Sequence, residues 1–577
     1  MLKNIVKSGL FSKLVIPVIL LSVILPAMLM AKGGRIPAYA RNGMVVSTSE
    51  IASETGRDIL EKGGNAIDAA VATAFSLAVT CPWAGNIGGG GFMVYYRSDG
   101  MVTAIDFREK APLAAGKLMY LDENGSVKDN SNHDGFLSIG VPGTVAGLYK
   151  AHRLYGRLPW FDLLKPAIEL AEKGFPVTWG IHISLSDPFI QKRLQSYETS
   201  RKKYFHGDSK SLEPGFIWKQ PELAGTLRRI QKKGREGFYR GETAKKLSEF
   251  ILKNGGIITE KDLEKYEAVE RKPVHGTYRG FDIYSMPPPS SGGVALIEML
   301  NMLEGFDLKA MGHNSALYIH LLSETMRRAF ADRAEYLGDP DFNHDMPVDM
   351  LISKKHAAKL RNTISLSEKS ESDPEFFNNS YESEETTHLC VMDRDGSAVS
   401  LTYTLEYLYG SGITADGLGF LLNNEMGDFN AIPGLTDDKG RIGTKPNLIA
   451  PEKRMLSSMS PTIVTRDGKP LLVIGSPGGR TIINTVLQVI LNYIDHGMNI
   501  AEAIEAGRFH HQWLPDVIYI EKNAISKDTE KILKALGHKI EYRGYQGSAM
   551  GIHYDSGKKL ISGAADSRSY DGAAAGY

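Results

Sequence analysis

Thr386-Thr387-His388-Leu389-Cys390-Val391-Met392 and Ala398-Val399-Ser400-Leu401-Thr402-Tyr403-Thr404-Leu405 flank Asp393-Arg394-Asp395-Gly396 in the C-terminal half of the chain. Both flanking runs are rich in β-forming residues, and the Asp-Gly pair between them is a strong hairpin signal. A tight turn centred near residues 394–396 sets the sum of paired residue numbers at about 789–791. The partner of Thr386 then falls at about residue 403–405, so local geometry alone returns Thr404 to the side of Thr386. Which face of the hairpin each occupies is left open by this argument.

Outward from the hairpin the composition changes sharply. From about residue 362 to 385 the chain is Ser-, Glu- and Asn-rich, with almost no large apolar residue after Phe376-Phe377, and reads as an exposed flexible segment. Such a segment ending abruptly at Thr386 fits a processing junction and equally an ordinary linker. Farther upstream, Asp58–Thr80 is alanine-rich with apolar residues at helical spacing, while Met93–Tyr96 and Ala104–Phe107 read as strands. The region of about 140–270 is helix-rich, and charge runs such as Arg228–Arg235 read as solvated helix faces. One or two large α/β units fit the 577 residues.

Composition closes several routes. Lysine plus arginine and aspartate plus glutamate both equal 67, so charge gives no reason to expect a nucleic-acid partner. Two cysteines far apart, Cys81 and Cys390, make neither a disulfide framework nor a Cys-x-x-Cys zinc site. At the N-terminus, Lys3, Lys7 and Lys13 precede an apolar run from Leu14 to Ala31 broken only by Pro17, Ser22 and Pro26. This is the pattern of a secretory signal, with Ala38-Tyr39-Ala40 as a small-x-small cleavage motif. The run also approaches the roughly 17–25 residues of a membrane span, so an uncleaved anchor is the rival. Either reading puts residues 1–40 apart from the rest and displays the rest outside the cytoplasm, in a periplasmic or extracellular location.

Three glycine clusters stand out: Gly88-Gly89-Gly90-Gly91, Ser290-Ser291-Gly292-Gly293 and Ser476-Pro477-Gly478-Gly479. None continues into Lys-Ser/Thr, so a phosphate-cradling loop is unsupported. Gly-Gly pairs mark tight turns or close backbone approach, and they can also present bare N–H groups to a developing oxyanion. A Gly-x-Ser-x-Gly elbow and a His-Glu-x-x-His helix are both missing from the sequence. His510-His511 reads as packing or hydrogen bonding rather than metal ligation.

Taken in order, the residues resemble a family. Thr386-Thr387-His388, Leu401-Thr402-Tyr403-Thr404, Gly410-Ser411-Gly412-Ile413 and Leu422-Asn423-Asn424-Glu425-Met426-Gly427-Asp428-Phe429 resemble the small subunit of γ-glutamyltranspeptidases. Leu456-Ser457-Ser458-Met459-Ser460-Pro461 and Gly475-Ser476-Pro477-Gly478-Gly479 continue the likeness. Upstream, Asn86-Ile87-Gly88-Gly89-Gly90-Gly91-Phe92, Asp106-Phe107-Arg108-Glu109 and Met286-Pro287-Pro288-Pro289-Ser290-Ser291-Gly292-Gly293 resemble the large subunit. The resemblance covers nearly everything from about residue 41 to 577.

It implies an α+β fold, the four-layer αββα sandwich of N-terminal-nucleophile hydrolases, and self-cleavage between Glu385 and Thr386. The products would be a large subunit of residues 41–385 and a small catalytic subunit of residues 386–577, associated as a heterodimer. Thr386 would then carry both a nucleophilic hydroxyl and its own base, an α-amino group with a pKa near 7.7–8.0. Thr387 competes for the part, and only the family pattern selects the first of the pair. Thr404 would hydrogen-bond the Thr386 hydroxyl or amine, and Gly478 and Gly479 would supply oxyanion-hole N–H groups. By the same resemblance Arg108, Ser457 and Ser458 hold the α-carboxylate of a γ-glutamyl group, and Glu425 and Asp428 hold its α-ammonium. Glu406 stands where many members carry asparagine. It would bring a third carboxylate to one ammonium, which either raises a carboxyl pKa or turns one carboxylate elsewhere. Pro433–Lys445 lies where some relatives have a lid, and it lacks the aromatic residue that closes it there.

The expected activity is transfer or hydrolysis of the γ-glutamyl group of glutathione-like compounds through a γ-glutamyl-threonine ester, resolved by water or an amino acid or peptide amine. No metal or organic cofactor is called for. A related acylase or poly-γ-glutamate depolymerase on the same scaffold is the alternative of the same class. An inactive, membrane-anchored binding protein is the alternative of another class, and the set of Thr386, Thr404, Gly478 and Gly479 speaks against it.

Overall fold

The hairpin forms in the expected register: Thr387–Met392 pairs antiparallel with Ala398–Thr404, and Thr387 faces Tyr403, so paired numbers sum to 790. Asp393 closes its turn, accepting from the N–H groups of Asp395 at 3.0 Å and Ser397 at 2.9 Å. Gly396 takes the positive φ of 87° that the turn requires. The second Asp393 oxygen accepts from the Ala66 N–H at 2.9 Å, tying the turn to the start of a long buried helix. The computed structural model describes residues 35–206, 210–373, 386–435, 437–439 and 441–577. The basic and apolar N-terminal run, the bulk of the polar segment before Thr386, and Glu385 lie outside the described residues.

That hairpin is the centre of a seven-stranded antiparallel sheet. On one side of it lie Met44–Ser47 and then Ala573–Gly576; on the other lie Gly90–Tyr96, Val102–Phe107 and Val269–Arg271. A second seven-stranded sheet runs Ala38–Ala40, Leu560–Ala565, Met550–Asp555, Lys469–Gly475, Thr462–Arg466, Phe281–Ser285 and Val274–Tyr278. Each sheet therefore mixes strands from before and after Thr386. Ala38–Ala40 is an edge strand, paired with Gly563, Ser562 and Ile561, so removal of the chain up to Ala40 would take this strand with it.

Side-chain alternation along the hairpin makes the layers. Leu389, Val391, Val399 and Leu401 enter a core shared with helices Glu50–Glu61 and Ala66–Thr80. Cys390, Met392 and Ala398 point the other way, into a core shared with the second sheet. The Cys390 thiol reaches the Val473 carbonyl at 3.2 Å. Helices Gly292–Leu303 and Thr481–Ile494 cover the far face of that sheet, giving helix, sheet, sheet and helix in order, the expected αββα sandwich. The helical stretch expected over Asp58–Thr80 is two helices, Glu50–Glu61 and Ala66–Thr80. Gly63, at φ 91°, breaks the first, and Asn65 starts the second through a reciprocal capping box with Asp68. Among the described residues no helix is long and apolar enough to cross a membrane.

Candidate active site

Thr386 directly precedes the hairpin strand, and continuing the ladder by one residue sets it opposite Thr404. Both line one small recess. Arg108, Glu406, Glu425 and Asp428 form its charged wall, and Ser457, Ser458 and Gly479 complete it from the second sheet's side. Gly478 lines a larger, open cleft that also reaches Thr386. The residues expected at the site are thus gathered around one threonine, except Glu385, which is not described. Thr387 is fully buried and turned away: its hydroxyl is 2.7 Å from that of Thr48.

The glycine clusters do three different things. A Cβ at Gly89 would sit 2.0 Å from the Thr404 carbonyl, and one at Gly91 would sit 2.4 Å from that of Thr402, so the first cluster lets strands approach around Thr404. Ser290 and Ser291 each donate at 2.6 Å, to the carbonyls of Met459 and Ser457 respectively, and so brace the Ser457-Ser458 wall. Gly478 and Gly479 have φ of 130° and 52° and lead into the helix Thr481–Ile494. Their carbonyls accept from Thr481 and Ile482. No acceptor among the described residues takes either of their N–H groups, which sit at the positive end of that helix.

Arg108 is buried and ion-paired with both Glu425 and Asp428, and it also donates at 3.3 Å to the carbonyls of Met455 and Leu456. The cation expected to read a carboxylate is therefore paired with the carboxylates expected to read an ammonium. Burial works against the Arg108 charge, but Glu425, Asp428 and Glu109 outweigh it and raise its pKa. Burial pushes the Glu425 carboxyl well above its usual range, against the pull of Arg108, and Glu109 and Glu406 add to the rise. Glu425 Oε2 has no hydrogen-bond partner among the described residues.

Glu406 lines the recess at a strained φ of 80°, a conformation in which asparagine is more at ease than glutamate. Its backbone N–H donates to the Thr404 hydroxyl at 2.8 Å, and its Oε1 lies 3.0 Å from His133 Nδ1. Burial lowers the His133 pKa to about 4, so this contact is a hydrogen bond from a neutral ring. One carboxylate is thereby turned toward a donor of its own, while Glu425 carries the raised pKa. Within Pro433–Lys445, Asp437 Oδ1 accepts from the N–H groups of Lys439 and Arg441, both at 3.2 Å, and Lys439 is exposed and does not line the recess.

Three residues at the site were not singled out from sequence. Glu109 lies behind Arg108, 3.6 Å from its Nη1, and burial raises its carboxyl to about 7. His133 is on a loop with no motif around it. Arg333, buried within the helix Ala316–Tyr336, donates at 2.8 Å to Ser291 and at 3.1 Å to Ser458, and holds that wall from behind. An arginine among the apolar positions of a helix was the available signal. The His510-His511 pair is structural, as expected: Asn484 and Gln512 bond the first ring, and Asp516 and the Trp513 N–H bond the second.

A family model described as gamma-glutamyltranspeptidase matches residues 52–576. The glutathione hydrolase proenzyme of Escherichia coli (strain K12) is 45% identical over 544 residues, covering 94% of this chain and 93% of that one. An acylase ACY 1 proenzyme from Pseudomonas sp. (strain V22) is 36% identical and covers 87% and 88%. Among solved structures, a cephalosporin acylase from Bacillus halodurans superposes with a TM-score of 0.80 at 26% identity, over 95% of this chain and 98% of that one. The γ-glutamyltranspeptidase of Helicobacter pylori gives 0.55 at 44% identity, over 59% of this chain and 95% of that one. The chain belongs to the γ-glutamyltranspeptidase family.

Proposed function

We propose that this protein is an exported γ-glutamyltransferase and glutathione hydrolase that matures by cutting itself before Thr386. In the first step the Thr386 hydroxyl attacks the Glu385 carbonyl carbon. The C–N bond breaks, Glu385 passes to the threonine oxygen as an ester, and the Thr386 amine is released. Water hydrolyses that ester, leaving a Glu385 carboxylate and a free N-terminal threonine. Strands from both products interleave in each sheet, which supports their staying together as a heterodimer.

In turnover the new α-amine takes the hydroxyl proton as Thr386 attacks the γ-carbonyl of the substrate, with Thr404 alongside. The oxyanion forms against the Gly478 and Gly479 N–H groups, an arrangement that contributes about 3–4 kcal/mol per donor in comparable sites. The amine of the leaving peptide departs with a proton, and water or an acceptor amine then releases the γ-glutamyl group from the ester. The substrate's α-carboxylate takes Arg108 with Ser457 and Ser458, and its α-ammonium takes Glu425 and Asp428 with Glu406 nearby. The two charges of a zwitterion would thus exchange with the pairing of Arg108 to Glu425 and Asp428.

The single observation that carries this reading is the union of Thr386, the Arg108–Glu425–Asp428 charge cluster and the glycine N–H groups around one small recess. The burial of Thr387 and the bond of its hydroxyl to that of Thr48 support Thr386 as the nucleophile. The acylase alternative takes acyl groups without an α-ammonium, for which the acidic cluster has no use. The test is hydrolysis of γ-glutamyl nitroanilide beside glutaryl nitroanilide, which lacks only the α-ammonium. Strong preference for the first is expected; equal or faster cleavage of the second would favour the acylase. The basic-then-apolar N-terminal run supports export, and fractionation of expressing cells tests it.

A further inference from the structure

On the side of the second sheet away from the recess, three helices bring together Glu298, Asp332 and His356. Glu298 is completely buried in Gly292–Leu303, and neither of its carboxylate oxygens has a hydrogen-bond partner among the described residues. His356 Nε2, at the start of Lys354–Arg361, lies 2.6 Å from Asp332 Oδ2 and 3.9 Å from Glu298 Oε1. One ligand atom from each residue falls within 4.8 Å of the others. No lysine or arginine among the described residues pairs with either carboxylate. Two carboxylates held close together with no lysine or arginine beside them are costly, so a positive charge belongs between them. Asp332 and His356 are 14% and 16% exposed, which leaves a way in.

We propose that Glu298, Asp332 and His356 bind a divalent metal ion of the zinc class, as a structural site separate from the active site. Two carboxylate oxygens and one imidazole nitrogen are a ligand set suited to Zn²⁺, with water filling the fourth position. Tetrahedral zinc with bonds of about 2.0–2.2 Å needs ligand atoms about 3.3 Å apart. The His356–Asp332 contact would open slightly and the His356–Glu298 gap would close by a similar amount. The second cluster of this kind, His320, Glu324 and His538, is already satisfied without a metal. Its two rings bond each other at 2.7 Å, and Glu324 takes Arg328 at 2.8 Å and the Ser370 N–H at 3.1 Å.

The ion would staple the helix that begins beside Ser291 to the helix carrying Arg333, one residue beyond Asp332, which holds Ser458. Its rival is a proton shared between Glu298 and Asp332, since burial and Asp332 raise the Glu298 carboxyl well above its usual range. Tag-free, processed protein stripped with a chelator is titrated with zinc chloride near neutral pH, reading calorimetric stoichiometry and the melting temperature. One equivalent bound with a rise in melting temperature is expected, and Glu298→Gln and His356→Gln should each weaken binding at least about tenfold and abolish the rise. Without zinc, Glu298→Gln should melt no lower than wild type, because glutamine keeps the shape and carries no charge to bury. No zinc uptake by wild type, or uptake unchanged in Glu298→Gln, would overturn the proposal and leave the shared proton in its place.

Discussion

Replacing Arg108 by lysine keeps the charge and removes the fork. Arg108 reaches Glu425 through Nη1 and Asp428 through Nη2, while Nε and Nη2 also bond the Met455 and Leu456 carbonyls at 3.3 Å. A lysine ammonium is one point and cannot span these partners and an incoming carboxylate together. The loss of one charge-assisted hydrogen bond to the substrate amounts to about 1.5–3 kcal/mol. That converts to roughly a 10- to 150-fold fall in kcat/KM for γ-glutamyl nitroanilide. The same assay on 4-aminobutyryl nitroanilide, which lacks the α-carboxylate, should be nearly unaffected, so the preference of wild type for the carboxylated substrate shrinks by the same factor. Thermal unfolding, run in parallel, separates a binding defect from a folding one. Equal losses on both substrates, or an unchanged preference in a folded variant, would refute the assignment of Arg108 to the α-carboxylate.

Three further outcomes are expected. Burial lifts Glu109 from 4.5 to about 7, so its contribution to stability is full below about pH 4.5 and is lost as pH rises to about 7. Relative to Glu109→Gln, wild type should lose up to about 3 kcal/mol across that window in urea unfolding; a flat difference would contradict the raised pKa. Gly478→Ala puts a Cβ 2.5 Å from Thr481 Oγ1 at φ 130° and displaces an oxyanion donor, so kcat should fall about 100-fold with KM little changed; a KM effect alone would speak against that role. Arg333→Lys cannot reach both Ser291 and Ser458, and KM for γ-glutamyl nitroanilide should rise several-fold with kcat retained, whereas a fall in kcat alone would remove Arg333 as a positioning residue.

What was legible in the sequence follows the range of the interactions. The hairpin register was readable because Asp393, Gly396 and the alternation of the two strands are local, and Thr404 came with it. The four-layer sandwich and the residues around Thr386 came from the ordered resemblance instead, since Arg108 meets Glu425 and Asp428 across more than 300 positions of sequence. Glu109 acts by being buried beside Arg108, which nothing in a single chain of letters announces, whereas Arg333 left a trace as an arginine among the apolar positions of its helix. Glu406 was visible as an extra carboxylate, but its strained φ and its bond to His133 depend on a loop that closes only in the folded molecule. The break between Glu61 and Ala66 was written in Gly63-Gly64-Asn65 and was masked by the alanine-rich run beyond it.

The central claim is that Thr386, and not the adjacent Thr387, cuts the chain and then carries the acyl group. Mass spectrometry of the purified protein on either side of the junction tests it most directly, comparing wild type with Thr386→Ala and Thr387→Val. Two fragments are expected in wild type, the second beginning at Thr386 and gaining one γ-glutamyl group on that residue when quenched with substrate. Thr386→Ala should remain one uncut, inactive chain, and Thr387→Val should still be cut before residue 386. A cleaved Thr386→Ala chain, or an acyl group found on Thr387, would contradict it.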